Sequence, residues 1–181
     1  MEFCGRDTEL VSGSLPKFEF NIKKGVKMSK IEAKLKELNI TVPQPLAPVA
    51  NYVGFARSGN QIFVSGQLPI ENGEVKYVGK VGSQISIEDA QKAARLCAIN
   101  IIAQVKIACD GDLEKVARCV RLGVFVNGDA DFKDHPVVAN GASDVIAEVF
   151  GDAGKHARAA TGAGSLPRGV SVEIDAIFEI K

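Results

Sequence analysis

The clearest candidate for chemistry in this chain is an arginine close to a glycine-rich stretch. Arg158 lies just before the run Thr161-Gly162-Ala163-Gly164. A guanidinium can hold a carboxylate with two parallel hydrogen bonds, and glycines let backbone N–H groups approach a ligand. The run has no strand–turn–helix context, so it is not a dinucleotide-binding fingerprint. Taken alone, these residues fit an exposed arginine beside flexible strand ends equally well.

Glu173 is the second candidate, because it interrupts the apolar pattern of the last predicted strand. Val172 and Ile174 flank it and therefore face the opposite side of that strand. On a face that packs against a partner, the carboxylate would lose solvent, its pKa would rise, and it could act as a base. On a solvated face shared with Ser171 and Asp175, it would be ordinary surface charge. The residues alone leave both interpretations open.

A third candidate is the serine at the sharp exit of an earlier predicted strand, in Ser65-Gly66-Gln67-Leu68-Pro69. A serine nucleophile needs a base within reach, and neither His135 nor His156 has any local relation to Ser65. We therefore reject a serine hydrolase. His156 fits a surface loop at least as well as a ligand-binding position.

The cysteines do not indicate a metal centre. Cys4, Cys97, Cys109 and Cys119 form no CxxC pair, and both histidines are distant from them in sequence. No zinc site, iron–sulfur site or other cofactor is expected. Cys97 and Cys109 fall in an apolar helical run and are predicted to be buried small hydrophobes. Because no disulfide framework is indicated, a reducing compartment is favoured, and we predict a cytoplasmic protein.

The composition is that of an ordinary globular domain, with 181 residues, 46% of them hydrophobic and 24% charged. Lys and Arg together number 22, as do Asp and Glu, so the net charge is zero. This balance gives no electrostatic footprint for nucleic acid, and it is compatible with self-association. No apolar run is long enough for a membrane helix. Neither a nucleic acid nor a membrane is expected as a partner.

The chain divides at its second methionine, Met28. Residues 1–27 lack the apolar region of a secretion signal, and their acidic residues disfavour a mitochondrial presequence. We predict that residues 1–27 are an N-terminal extension and that residues 28–181 form a single domain.

Hydrophobic periodicity predicts strands, a long helix, a strand, a second helix and further strands. A capping box, Ser29-Lys30-Ile31-Glu32, should begin a short helix that ends near Leu38. The other predicted elements are a hairpin over 52–57 and 61–65, a turn at Asn72-Gly73, the long helix from Ser86 to Asp110-Gly111, a strand over 120–126, a helix from about Pro136 to Phe150 and a strand over 170–178.

These elements indicate an α+β fold in which two main helices cover one face of a mixed sheet. The other face of the sheet is left open, and Phe55, Phe125 or Ile177 could project from it. Because an exposed apolar face usually needs a partner, a homo-oligomer is predicted.

Segments between about residue 49 and residue 180 share the pattern of one protein family. The spacing from Arg158 through Leu166-Pro167 to Glu173 matches that pattern without gaps. The other matching segments are Tyr52, Ile62-Phe63-Val64-Ser65-Gly66-Gln67-Leu68-Pro69, Val124-Phe125-Val126, Ala157-Arg158 and Val172-Glu173-Ile174-Asp175-Ala176. Together they resemble the Rid family of reactive-intermediate deaminases, also called YjgF-like or endoribonuclease L-PSP proteins. The runs Asn140-Gly141-Ala142-Ser143-Asp144 and Gly154-Lys155-His156-Ala157-Arg158 are similar to a less-studied branch of that family.

The resemblance implies a chorismate-mutase-like fold, assembled as a homotrimer with ligand clefts between subunits. In the deaminating branch, the arginine that matches Arg158 grips the substrate carboxylate. The glutamate that matches Glu173 holds the water that attacks an imine carbon. Further substrate-binding positions implied by the resemblance are Tyr52, Gly66, Asn140 and Ala160, the last through its backbone. Ala159-Ala160 replaces a Ser-Cys pair that is common after the arginine, so backbone contacts are retained there and side-chain contacts are not.

Three functions are compatible with this resemblance. The first is a hydrolytic deaminase that converts a reactive enamine or imine into a 2-keto acid and ammonia. The second is a non-catalytic trimer that binds small carboxylates, and the third is an endoribonuclease. The zero net charge and the absence of a basic, aromatic ribbon disfavour the endoribonuclease. Arg158 is needed by both of the first two functions, whereas Glu173 distinguishes between them.

Overall fold

The computed structural model describes residues 28–45 and 51–181, so the predicted extension over 1–27 lies outside the described residues. Three helices and a five-stranded sheet make up most of the described chain. The helices are α1 (Lys30–Glu37), α2 (Ile87–Ala108) and α3 (His135–Phe150). The sheet contains β1 (Phe55–Ser58), β2 (Gln61–Gln67), β5 (Val116–Val126), β6 (Ala157–Gly162) and β7 (Val172–Ile180), while β3 (Ile70–Glu71) and β4 (Glu74–Val75) pair separately.

The strands of the large sheet lie in the order β1-β2-β7-β5-β6. Neighbouring strands run antiparallel except for β5 and β6, which are parallel because α3 carries the chain back between them. The prediction of a mixed sheet is therefore confirmed. In this order β5 separates the edge strand β6 from the central strand β7.

The core lies between one face of the sheet and the helices α2 and α3. Ile62 of β2, Leu122 of β5 and Phe178 of β7 are fully buried there. Along β7 every second residue is buried, as expected for a strand covered on one side. This arrangement confirms the predicted α+β fold with both main helices on one face.

The short helix α1 is a third helix, which packs against α3 and against the turn at Leu113–Lys115. The Ser29 hydroxyl accepts a hydrogen bond from the Glu32 backbone N–H at 3.1 Å, which confirms the predicted N-terminal cap. Leu35 is the buried residue of this helix. Helix α1 therefore covers part of the surface of α3.

The open face of the sheet differs from the prediction at one aromatic position. β1 begins at Phe55 rather than at Tyr52, and Phe55 pairs with the buried Val64 and packs against the core. The prediction that Phe55 projects from the open face is therefore wrong, because partners in register share a side of the sheet. Phe63, which pairs with Ile177, lies on the open face and is 41% exposed, and Phe125 is 36% exposed.

Strand β6 was not predicted. Its residues, Ala157 to Gly162, are small or polar and mostly exposed, so they lack the alternation that marks a half-buried strand. Cys97 and Cys109 are buried, as predicted. Within the described ranges, no helix has the length and apolarity needed to cross a membrane.

Candidate functional site

Strand β6 directs Arg158 toward the helices. Arg158 pairs with Leu122 in the parallel register of β5 and β6, and Leu122 is buried beneath the helices. Because residues in register project from the same side of a sheet, the Arg158 side chain lies on the helix-covered side. There it reaches α3 at the exposed edge of the fold, and the guanidinium remains accessible to solvent.

The guanidinium of Arg158 is held by three hydrogen bonds to α3. Nη1 donates to Asn140 Oδ1 at 2.9 Å and to Ser143 Oγ at 3.0 Å, and Nη2 donates to the Pro136 carbonyl oxygen at 3.3 Å. The three α3 residues follow one another at helical spacing and so share one face of the helix. The structure thus brings together two of the residues predicted to bind substrate, Arg158 and Asn140.

These bonds leave part of the guanidinium free to bind a ligand. Of the five N–H donors that a guanidinium carries, Nε and Nη2 each keep one without a partner in the described part of the chain. Nε and Nη2 form one of the two edges that can bind a carboxylate with paired hydrogen bonds. None of the ion pairs formed by the described residues involves Arg158. The geometry therefore suits a small anion.

The Ser143 hydroxyl is also bonded to His156, for which the sequence left open a surface loop or a ligand-binding position. His156 Nε2 lies 3.0 Å from Ser143 Oγ, and His156 Nδ1 lies 2.6 Å from the Gly154 carbonyl oxygen. Both side chains are half-buried. The two family-like runs over 140–144 and 154–158 contain these residues, and that was the only sequence signal for the contact. We call Asn140, Ser143, His156 and Arg158 the arginine half-site.

Glu173 lies on the opposite face of the sheet. It pairs with Phe125 in the central strand β7, while its neighbours Val172 and Ile174 are buried on the helix side. Partial burial raises the pKa of the Glu173 carboxyl, and the nearby carboxylate of Asp175 raises it further. The carboxyl is thus partly desolvated, as in the first alternative from the sequence, but it shares its face with Asp175, as in the second.

The two acidic residues on this face differ in their partners. Asp175 accepts a hydrogen bond from Arg121 Nη1 at 2.7 Å, so its charge is compensated. Glu173 has no ion pair and no side-chain hydrogen bond among the described residues. A half-buried carboxyl with a raised pKa and no partner is suited to accept a proton.

Gly66 provides the space that the Glu173 carboxylate occupies. The register of β2 against β7 shifts between Val64 and Gln67, so Gly66 sits in a bulge of β2. A Cβ at Gly66 would fall on Glu173 Oε1, so any other side chain would compete with the carboxylate for space. These two predicted site residues therefore lie in contact. We call Gly66, Phe125 and Glu173 the glutamate half-site.

The two remaining predicted residues occupy less defined positions. Tyr52 is 55% exposed in the segment before β1. Ala160 pairs with Val124 in β6 and packs its side chain against the core. Because β6 is an edge strand in the described chain, one side of its backbone is free to bind a ligand, as the backbone role implied for Ala160 requires.

A single chain does not bring the two half-sites together. Arg158 lies on the helix-covered side of the edge strand β6, and Glu173 lies on the open side of β7, with β5 between the two strands. The backbone of the sheet therefore separates the guanidinium from the carboxylate. One ligand can contact both groups only if they belong to different copies of the chain.

Comparison with known proteins identifies the relatives of this fold. Residues 32–173 match the family model described as "YjgF/chorismate_mutase-like, putative endoribonuclease". Protein TCP17 of Trypanosoma cruzi is 43% identical over 156 residues, which cover 86% of this chain and 97% of TCP17.

Two solved structures are also similar. The protein Atu1372 of Agrobacterium tumefaciens, described as having unknown function, is 52% identical, with a TM-score of 0.79 over 83% of this chain and 92% of that chain. A "putative endoribonuclease" from Shewanella oneidensis MR-1 is 30% identical, with a TM-score of 0.81 over 84% of this chain and 100% of that chain. The sequence match, the mixed sheet and the two helices that cover it show that this chain belongs to the YjgF/chorismate mutase-like family.

Proposed function

We propose that this protein hydrolyses an enamine or imine of a 2-keto acid, at a site formed between two copies of the chain. The observation that carries the proposal is the pair of half-sites with complementary chemistry on opposite faces of one sheet. Among the described residues, neither the free guanidinium edge of the first nor the raised-pKa carboxyl of the second has a partner. A 2-imino acid has a carboxylate for the first and an electrophilic carbon for the second.

The reaction requires a positioned water and the transfer of protons, but no redox step. Arg158 holds the substrate carboxylate, which fixes the imine carbon relative to the attacking water. Glu173 accepts a proton from that water as its oxygen bonds to the carbon. Glu173 passes this proton to the nitrogen, which gives a tetrahedral carbinolamine. Glu173 then moves the proton of the new hydroxyl group to the same nitrogen, the carbon–nitrogen bond breaks, and ammonia leaves as the carbonyl of the 2-keto acid forms. The raised pKa lets Glu173 act as base in the first step and as acid in the second.

A homotrimer is part of the proposal. An apolar centre lies beside Glu173 on the open face and consists of Phe63, Phe125 and Ile177. A second copy packed there would remove this apolar surface from water. Packing on this face would also bring the edge strand of one copy toward the glutamate half-site of the next. In a closed ring every copy would then contribute one half of two sites.

A non-catalytic carboxylate-binding protein is the second candidate. It is favoured by the fact that one chain already contains the complete arginine half-site, whose free guanidinium edge can pair with a carboxylate without any contribution from Glu173. The endoribonuclease in the names of relatives is less consistent with this chain, because its net charge is zero. Glu173 separates the two candidates, since only an enzyme needs it for turnover.

The test is hydrolysis of 2-aminoacrylate generated in situ, followed as ammonia release and as the loss of imine that semicarbazide can trap. We expect the wild type to accelerate hydrolysis and the variants Arg158→Ala and Glu173→Gln to be impaired. Arg95→Ala and Glu148→Gln are matched controls, because they remove the same side chains from an exposed 3.4 Å ion pair on α2 and α3. No acceleration by wild type with any of a panel of imino acids would contradict the enzyme and favour the carboxylate-binding protein.

A further inference from the structure

We propose that Ser143 and His156 are positioning residues that hold Arg158 with its Nε and Nη2 edge directed toward the ligand. The inference rests on the proposed role of Arg158 as a carboxylate clamp, and it adds two residues that the resemblance did not implicate. Its basis is the chain of hydrogen bonds from Arg158 through Ser143 and His156 to the Gly154 carbonyl.

The direction of each hydrogen bond in this chain is determined by its two ends. The Gly154 carbonyl can only accept, so His156 Nδ1 carries the proton and donates. In the tautomer that carries its proton on Nδ1, Nε2 is an acceptor, and the Ser143 hydroxyl donates to it. The oxygen of Ser143 is left with its lone pairs directed at Arg158, whose Nη1 can only donate. Each member thus orients the next.

His156 gives Ser143 a conformation that a helical serine would not keep alone. A serine inside a helix commonly donates its hydroxyl back to a carbonyl of the preceding turn. The bond to His156 Nε2 replaces that bond and fixes the rotation of the hydroxyl. Because Arg158 is long, exposed and without an ion pair in the described residues, its orientation depends on such fixed acceptors.

The turn that carries the Gly154 carbonyl is itself held tightly against α3. Gly154 belongs to the 3₁₀ turn Gly151–Gly154, and a Cβ there would lie 2.8 Å from Ala147 Cα and would also fall on the Ile146 carbonyl oxygen. Only a glycine allows this close approach of backbone to backbone. The far end of the hydrogen-bond chain is therefore rigid, so the orientation imposed on His156 reaches Arg158.

Binding a ligand to an arginine that is already oriented costs less conformational entropy. Immobilising one flexible side chain on binding corresponds to about a 3- to 10-fold loss of affinity. We therefore expect Ser143→Ala to weaken the binding of the unreactive ligand 2-oxobutanoate by about that factor. His156→Ala should have a similar effect. Because His156 acts through Ser143, the double variant should bind no more weakly than Ser143→Ala alone.

The experiment combines calorimetry with 2-oxobutanoate and ¹H–¹⁵N NMR of the Arg158 side chain. In the wild type, rotation of the guanidinium about the Nε–Cζ bond should be slow, since Nη1 and Nη2 are both held, and each variant should make it faster. A merely structural role for the hydroxyl would not change this rotation. Ser83→Ala is the control, because it removes a hydroxyl with a 3.0 Å bond to Asp129 on an exposed turn outside α3 and β6.

The possible results separate this inference from the proposed function. Additive losses in the double variant, or equally fast rotation in wild type and Ser143→Ala, would overturn the positioning role even if the enzyme is active. Slow rotation in wild type that Ser143→Ala abolishes would support the positioning role even if no imino acid is hydrolysed. If His156→Ala does not fold, Ser143→Ala with the NMR measurement still decides the question.

Discussion

Replacing Gly66 by alanine should damage the site while leaving most of the stability intact. The new Cβ would fall on Glu173 Oε1, which is the end of a flexible side chain and not backbone. Overpacking in a protein interior costs about 1–3 kcal/mol, but a flexible carboxylate can turn aside, and holding a side chain about 30° away from its rotamer costs about 0.5–1.5 kcal/mol. We therefore expect the free energy of unfolding to fall by about 1 kcal/mol.

The effect on turnover should be much larger, because the carboxylate would leave the bulge where it meets the water. Loss of general acid–base help lowers rates by about 10²–10⁴, so Gly66→Ala should approach the deficit of Glu173→Gln. The measurements are urea unfolding and 2-aminoacrylate hydrolysis on the same preparations. In the Glu173→Ala background the contact is gone, and Gly66→Ala should then cost little stability. Full activity in Gly66→Ala, or an undiminished stability cost in the double variant, would refute the reasoning.

Three further predictions concern the arginine half-site, the pKa of Glu173 and the turn before β6. Arg158→Lys should bind 2-oxobutanoate no better than Arg158→Ala, since an ammonium lacks the paired donors of a guanidinium. Calorimetry should show that each variant loses about 2–5 kcal/mol of binding free energy, and wild-type affinity in either variant would exclude Arg158 as the carboxylate clamp. Because the folded state raises the pKa of Glu173 above its ordinary value of 4.5, the wild type should lose stability relative to Glu173→Gln as pH rises from 4.5 through that raised pKa. Well below 4.5 the difference between the two proteins should no longer change with pH, and urea unfolding that showed the opposite slope would contradict the raised pKa. Gly154→Ala should lower the free energy of unfolding by about 1–3 kcal/mol, because its Cβ meets backbone 2.8 Å away where ordinary contacts begin at 3.4 Å; an unchanged urea midpoint would contradict this.

The sequence was sufficient for the elements that carry strong local signals. Ser29 and Ser86 act as side-chain caps at the starts of α1 and α2, because a serine oxygen satisfies a free backbone N–H wherever such a helix begins. The alternation along β7 placed Glu173 on the face opposite its apolar neighbours, as observed. These features depend on residues close together in the chain, so periodicity and capping patterns report them.

The sequence was insufficient where the structure depends on contacts across the chain. β6 is built from small exposed residues and is held by its register with β5, which no local pattern encodes. Without β6, the side of the sheet that Arg158 faces could not be derived. Ser143 and His156 meet across the end of α3 and the turn at Gly151–Gly154, and their contact follows from packing and not from spacing. The resemblance implied that Arg158 and Asn140 both bind substrate, but it indicated neither the hydrogen bond between them nor the serine–histidine support.

The most direct test of the central claim is a mixing experiment with two inactive variants. Arg158→Ala retains the glutamate half-site, and Glu173→Gln retains the arginine half-site. If each site takes one half from each of two copies, chains mixed in equal amounts, unfolded and refolded together should regain about a quarter of the wild-type sites. Each variant refolded alone should remain impaired, and wild type refolded alone gives the reference. Recovery of 2-aminoacrylate hydrolysis near that fraction is the result we predict. A mixture no more active than its separate components would contradict a site shared between copies.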